Sequence, residues 1–187
     1  MAAPLHVTFA GGSTGQWRVD RLQAVRGEAL AAVDYVAVLE GRQAGVPDGS
    51  AWALRGVTSH ERYVTRAEHD ALAARQPPLG RPEATRAALI PLRKTAAWWA
   101  LSQDERRAVF EERSHHIAIG LEYLPSIARR LHHCRDLGEP FDFLTWFEYA
   151  PSSAAAFEQL VARLRATEEW SFVEREIDLR LSRVSAP

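Results

Sequence analysis

Two kinds of side chain in the middle of the chain are suited to binding a metal ion and holding an anion. Two adjacent histidines, His115 and His116, lie in the segment Arg113-Ser-His-His-Ile-Ala-Ile-Gly, and Arg129 follows His116 by thirteen residues, beyond Pro125. A neutral imidazole ligates transition metals. A guanidinium holds an oxyanion through planar, charge-assisted hydrogen bonds. From residue type alone, one of these side chains can therefore ligate a metal and the other can hold an oxyanion.

Helical phase separates the two histidines. Ser102-Gln-Asp-Glu has the pattern of a capping box and predicts a helix that runs from Ser102 to about Tyr123, because Pro125 restricts the residue before it. In such a helix His115 shares a polar side with Glu111, whereas His116 lies beside an apolar stripe. Gly120, one turn further on, leaves room for a flat ligand. The better metal ligand is therefore His116, and the stripe consists of Phe110, Ile117, Leu121 and Leu124.

Two tryptophan-containing motifs flank this segment. Trp98-Trp99 follow Lys94, which is the only lysine of the chain, and Glu168-Glu169-Trp170 lie downstream. Adjacent residues of a helix point about 100° apart. One tryptophan of the pair can therefore line a pocket while the other packs elsewhere.

Together, the paired histidines, the distant arginine and the two tryptophan motifs resemble the chlorite dismutase family of haem proteins, and most closely its short, dimeric branch. The resemblance implies a haem b enzyme in which His116 is the proximal iron ligand and Arg129 is the catalytic arginine, with Gln76 as its anchor. It implies conversion of chlorite to chloride and dioxygen through a ferryl and hypochlorite stage, with formation of the O–O bond. It also implies a homodimer.

The remaining cofactor contacts are likewise implied by the resemblance. Glu169 matches the family's carboxylate that accepts the second N–H of the proximal imidazole, although nothing intrinsic to the sequence separates it from Glu168. Trp98 and Trp99 match the pair beside the haem, and Lys94, Tyr63 and Trp99 match positions that contact its propionates. The chain has no Cys-x-x-Cys-His motif, so the haem is expected to be non-covalent.

Other interpretations stay open at this point. A coproheme decarboxylase-like or peroxidase-like haem enzyme, a haem carrier or sensor without turnover, and a haem-free dimeric α+β binding module all fit parts of the pattern. Arg129-Arg130 would ordinarily be a solvated pair, and Glu168-Glu169 would ordinarily be two solvated charges. We interpret His132 and His133 as structural and expect the isolated Cys134 to pack.

The elements that must position these residues are mixed in type. Strands are predicted at Leu5–Phe9, 17–25, 34–39, Ala51–Val57, 87–93, 141–149 and 173–181, with Pro91 favouring an edge or a bulge and the last strand half-buried. Helices are predicted at Arg66–Arg75, at 102–123, at Ser126–Cys134 and after Pro151. Without a βαβα rhythm the class is α+β. The resemblance implies a ferredoxin-like antiparallel sheet or barrel flanked by helices, in a single domain over residues 1–187.

Composition excludes several classes of protein. The net charge of −1 argues against nucleic-acid binding, since no basic stripe is present. No apolar run approaches the roughly 20 residues of a membrane span. The single cysteine cannot form an internal disulfide and fits a reducing compartment, and the first residues lack the pattern of a signal peptide, so we expect a cytoplasmic protein.

Overall fold

Eight antiparallel strands form a closed barrel in the computed structural model, which describes residues 4–42, 44–58 and 63–184. The order around the barrel is β1-β3-β2-β8-β5-β7-β6-β4, and β4 pairs with β1 to complete it. The strands are β1 His6–Gly12, β2 Trp17–Arg26, β3 Tyr35–Glu40, β4 Trp52–Val57, β5 Arg86–Lys94, β6 Ile127–His133, β7 Phe143–Tyr149 and β8 Val173–Arg183.

The α-helices of the described residues lie in three stretches of the chain, between β4 and β5, between β5 and β6, and between β7 and β8. The α-helices are α1 Arg66–Arg75, α2 Ala96–Ala100, α3 Gln103–Arg107, α4 His116–Glu122 and α5 Ala154–Arg165, with a π-helical segment Ala108–Arg113 and 3-10 turns Arg135–Leu137, Pro151–Ser153 and Glu168–Phe172. The fold confirms the predicted α+β class and the predicted ferredoxin-like barrel flanked by helices. None of the described helices has the length and apolar character needed to cross a lipid bilayer.

Barrel interior and outer surface carry separate hydrophobic clusters. Strand alternation sends Leu89, Leu144 and Leu179 into the barrel, while Ile90 and Phe147 on the opposite face pack against α5. Helix α5 presents the predicted apolar face, and its buried residues are Phe157, Leu160, Val161 and Leu164. The sheet is therefore covered on both sides where β5, β7 and β8 meet α5.

Two helix predictions are wrong. Residues 127–133 form strand β6, which pairs with β7 over seven residues from Ile127 to His133. The helix predicted for residues 102–123 begins with the expected capping box at Ser102, but it passes into the π segment and breaks at Ser114 and His115. His115 adopts a left-handed conformation with φ of 53°, so a new helix begins at His116.

Two strand predictions also need correction. Strand β5 lies between β7 and β8 and is not an edge, because the closed barrel has none. Its pairing with β8 instead skips Ile90 and Pro91, where proline cannot donate to the ladder. Strand β8 is buried on both faces, since Glu176 and Asp178 on its polar side are each 1% exposed beneath α5.

Candidate active site

A largely apolar cavity lies between helices α4 and α5 and the outward face of β5, β7 and β6. Its floor includes Ile90, Thr145 and Leu131, one residue from each of these strands, which stand opposite one another in the sheet register. His116 and Arg129 both line this cavity. The structure therefore brings together the imidazole and the guanidinium that the sequence singled out.

His116 is held by a buried carboxylate. Its Nδ1 lies 2.6 Å from Oε2 of Glu169, and the Glu169 side chain is 6% exposed. A carboxylate partner accepts a hydrogen bond from Nδ1–H, so that Nε2 carries the lone pair available for a metal. The rings of Phe110 and Trp170 lie nearly parallel to the imidazole, at centroid distances of 4.3 Å and 6.4 Å. These contacts fix one orientation of His116.

Lys94 lies on the same carboxylate. Its Nζ is 2.7 Å from Oε1 of Glu169, and its side chain is 3% exposed. The ammonium also lies 4.5 Å from the centroid of Trp98 and 5.5 Å from that of Trp170. Sequence reasoning assigned Lys94 to a haem propionate, whereas the structure places it in a buried ion pair with Glu169. The only lysine of the chain therefore lies at a buried position.

The ionisation of Glu169 follows from these neighbours. Burial raises the pKa of the Glu169 carboxyl group, but its electrostatic interactions and hydrogen bonds with His116 and Lys94 outweigh that effect and lower this pKa to about 2. The carboxylate is therefore an acceptor at neutral pH. Its neighbour Glu168 lies at the surface beside Arg113, so geometry separates two glutamates that the sequence could not.

The adjacent tryptophans have different environments. Trp98 is 2% exposed and lines the cavity, and its indole Nε1 is buried without a hydrogen-bond partner. Trp99 does not line the cavity; its Nε1 donates to Asp142, and its ring stacks on Phe143. The propionate contact expected of Trp99 is therefore not supported by its position, because the 100° offset within α2 turns it away.

Tyr63 lies at the edge of the cavity, between two arginines. Nη1 of Arg106 lies 3.3 Å from the Tyr63 hydroxyl, and Arg107 donates to its backbone carbonyl. Arg107 is itself held by a bidentate ion pair with Glu68, which lowers the pKa of Glu68 to about 2. These bonds hold a tyrosine whose φ of 63° is unfavourable for a side chain with a Cβ.

Arg129 comes from strand β6, where it stands opposite Phe147 of β7. Alternation along the strand puts Arg129 on the cavity side together with Ile127, Leu131 and His133. The side-chain amide of Gln76, at the end of α1, donates to the backbone carbonyl of Arg129. Gln76 therefore contacts Arg129 through the backbone, and the anchoring of the guanidinium in one rotamer stays a prediction.

The second histidine pair divides between two environments. His132 is fully buried in the barrel, where Nδ1 donates to the carbonyl of Leu144 and Nε2 accepts from Arg130. Burial lowers the pKa of His132 to about 4, which agrees with the structural role predicted for it. His133 faces the cavity instead. Cys134 is buried, so it packs in the interior as expected. Burial raises the pKa of its thiol, which therefore stays protonated.

Three polar residues around the site were not identified from the sequence. Asp142 accepts from the backbone of Lys94 and from Trp99, Ser114 accepts from the backbone of Glu169, and Glu111 accepts from the first turn of α4. Only Asp142 has a sequence signal, an ionisable residue between two phenylalanines in Phe141-Asp-Phe; Glu111 and Ser114 lie in a polar stretch that gives none.

Comparison with known proteins assigns this architecture. The model of the chlorite dismutase family matches residues 39–185. A dimeric chlorite dismutase from Nitrobacter winogradskyi is 60% identical, covers 95% of this chain and 99% of its own, and superposes with a TM-score of 0.87. A variant chlorite dismutase from Candidatus Nitrospira defluvii, in complex with cyanide, shares the fold at 20% identity, with a TM-score of 0.70 over 97% of this chain and 91% of its own. The curated chlorite dismutase of Ideonella dechloratans is 32% identical over 81 residues, which are 43% of this chain and 26% of that relative's length. The chain belongs to the chlorite dismutase family.

Proposed function

We propose that this protein is a haem b enzyme that converts chlorite to chloride and dioxygen. The observation that carries the proposal is the shared cavity, which His116 and Arg129 both line. Glu169 accepts a hydrogen bond from Nδ1 of His116, which leaves Nε2 to bind iron. Membership of the chlorite dismutase family supports the assignment.

The residues of the cavity suit a porphyrin. The lining is mostly apolar, and the space beside Gly120 is open, since no heavy atom lies within 4 Å of where a Cβ would be. The unpaired Nε1 of Trp98 and the hydroxyl of Tyr63 are donors suited to propionates. When bound, haem supplies a redox-active iron that exchanges electrons and an oxygen atom with the oxyanion.

Proximal residues control the electron richness of the ligand. His116 would bind the haem iron, Glu169 accepts a hydrogen bond from its Nδ1–H, and Lys94 balances the buried negative charge. A carboxylate partner makes an imidazole a stronger electron donor. The haem would then supply an iron whose higher oxidation state this ligand stabilises.

Arg129 acts on the anion. Both oxygen atoms of the product come from one chlorite ion, so no external reductant is needed. With haem as the acceptor of the first oxygen atom, hypochlorite would remain, and the guanidinium of Arg129 would retain it through charge-assisted hydrogen bonds. In the second step the hypochlorite oxygen would join the first oxygen and chloride would leave. Retention would make that step effectively intramolecular, an effect worth up to about 7–11 kcal/mol.

Absorption spectra and an oxygen electrode test the proposal. The haem-reconstituted protein should show a Soret band and release one dioxygen per chlorite. His116→Ala should lose tight haem binding, whereas His115→Gly should keep it, because glycine accepts the left-handed conformation at that position.

Arg129→Ala should keep haem but release hypochlorite, which a chlorination reporter detects, and its haem should bleach faster during turnover. Arg130→Ala is the control.

Two results would contradict the assignment. A normal Soret band in His116→Ala would remove this residue as the ligand. Haem binding without chlorite-dependent oxygen release would leave a carrier or sensor.

Assembly and location are proposed on separate grounds. We infer a homodimer because the Nitrobacter winogradskyi relative, 60% identical, is dimeric. We infer a cytoplasmic protein because the chain has one cysteine, which suits a reducing compartment.

A further inference from the structure

The chain changes direction immediately before His116. The π segment Ala108–Arg113 ends at Ser114, and His115 follows with φ of 53° and ψ of 35°. This conformation is unfavourable for a residue with a Cβ, so neighbouring contacts must maintain it. The orientation of His116, the first residue of α4, depends on those contacts.

Glu111, within the π segment, makes such contacts with the first turn of α4. Its carboxylate accepts hydrogen bonds from the backbone amides of Ile117, at 2.6 Å, and Ala118, at 3.3 Å. The amides at the start of a helix have no partner within the helix, and the residue before α4 provides no side-chain cap. The Glu111 side chain is buried, with the residue 8% exposed, so water does not compete freely for these two amides.

Ser114 holds Glu169, the hydrogen-bond partner of His116. Its hydroxyl, in a residue that is 2% exposed, accepts from the backbone amide of Glu169 at 2.9 Å. One short segment therefore holds both partners of the bond between His116 and Glu169. It holds the imidazole through the first turn of α4 and the carboxylate through the turn Glu168–Phe172.

We propose that Glu111 is a positioning residue for His116, with Ser114 as its counterpart for Glu169. The carboxylate of Glu111 fixes the first turn of α4 and thereby the direction in which Nε2 of His116 is presented to the cavity. The inference rests on the proposed role of His116 as an iron ligand. Loss of the cap lets the imidazole rotate away from Glu169 and weakens the iron bond.

Resonance Raman spectroscopy of the ferrous protein and haem transfer to an excess of apomyoglobin test this role. Glu111→Ala should broaden and shift the iron–imidazole stretching band and speed haem loss about tenfold, the size of effect expected for a lost cap. Glu111→Gln should restore part of both properties, because a carboxamide oxygen accepts one of the two bonds. The control is Glu112→Ala, one residue away and exposed, which should match the wild type.

A purely structural role would give a different result. If Glu111→Ala lowered the unfolding temperature but left the iron–imidazole band and the haem-loss rate as in the control, the proposal would be overturned. If that variant failed to fold, Glu111→Gln and Ser114→Ala would carry the same comparison, and wild-type bands in both would overturn it.

A measurement on the haem-free protein separates this inference from the proposed function. The Nδ1 proton of His116, hydrogen-bonded to Glu169, should give a downfield NMR signal that shifts or broadens in Glu111→Ala and not in Glu112→Ala. If the wild type bound no haem, the enzymatic proposal would fail on its own. An unchanged proton signal in Glu111→Ala would overturn the positioning role independently.

Discussion

Glu169 makes hydrogen bonds with several residues of the site. It accepts from a histidine and a lysine through its side chain and is held by Ser114 through its backbone amide. A carboxylate buried to this degree is tolerated because cationic and N–H donors surround it. Removing one donor leaves charge that the protein interior cannot solvate.

Lys94→Met tests that balance. The substitution keeps length and apolar bulk but removes the ammonium, so the free energy of unfolding should fall by about 3 kcal/mol, as when a buried pair loses one member. The double variant Lys94→Met/Glu169→Gln should recover much of that loss, because no buried charge then lacks its partner. Urea unfolding of the haem-free protein measures both.

Arg93→Met provides the matched control for Lys94→Met. Arg93 pairs with Glu174 at the surface, where both side chains are about half exposed, and such pairs contribute about 0–1 kcal/mol. A Lys94 variant as stable as the Arg93 variant would show that the buried pair adds nothing to stability.

Strand β6 shows what the sequence could and could not predict among the elements. Its residues, including Ala128, Arg130 and Leu131, form helices readily in isolation, and seven residues are too few for a period to distinguish strand from helix. Pairing with β7 decides the outcome, because it completes the barrel. Arg129 reaches the cavity by strand alternation, a route that local propensity does not reveal.

The segment before α4 gives a second example. Helical phase selected His116 on the assumption of a continuous helix, whereas the π segment and the left-handed His115 set its actual orientation. By contrast, longer or strongly patterned elements were predictable, among them α5 and the β-strands of the first sixty residues. Contacts distant in sequence, such as that between Lys94 and Glu169, were not.

Helix α5 carries two arginines whose loss should have unequal effects. Arg165 donates to Glu176 and Asp178, both 1% exposed, whereas Arg163 pairs with Glu122 at the surface. Arg165→Met should therefore lower the free energy of unfolding by about 3 kcal/mol, and Arg163→Met by less than about 1 kcal/mol. Thermal or urea unfolding of the pair checks the difference; equal losses would contradict the importance of burial.

At the scale of the whole molecule, two hydrophobic clusters have different tasks. The interior cluster, with Phe9, Trp146 and Leu179 among its members, fills the barrel. The outer cluster joins the sheet to α4 and α5 and borders the cavity. His132 lies in the barrel beside Phe9, so its protonation bears on the stability of the barrel.

Stability should therefore depend on pH through His132. Its pKa is about 4 in the folded protein against an ordinary 6.5. As pH falls from 6.5 towards 4, the unfolded chain takes up a proton that the folded protein does not bind, so stability is lost across that window. The loss is about 3 kcal/mol at the lower limit. Urea unfolding at several pH values should show a flatter dependence for His132→Phe; an unchanged slope would contradict this assignment.

Because the barrel packs its own interior and the cavity lies outside it, the barrel can fold independently of the haem proposed to bind in the cavity. Cofactor delivery then becomes an event separate from synthesis. Under the proposed function, a cell short of iron would hold a folded reserve of apoprotein, ready to be charged when supply returns.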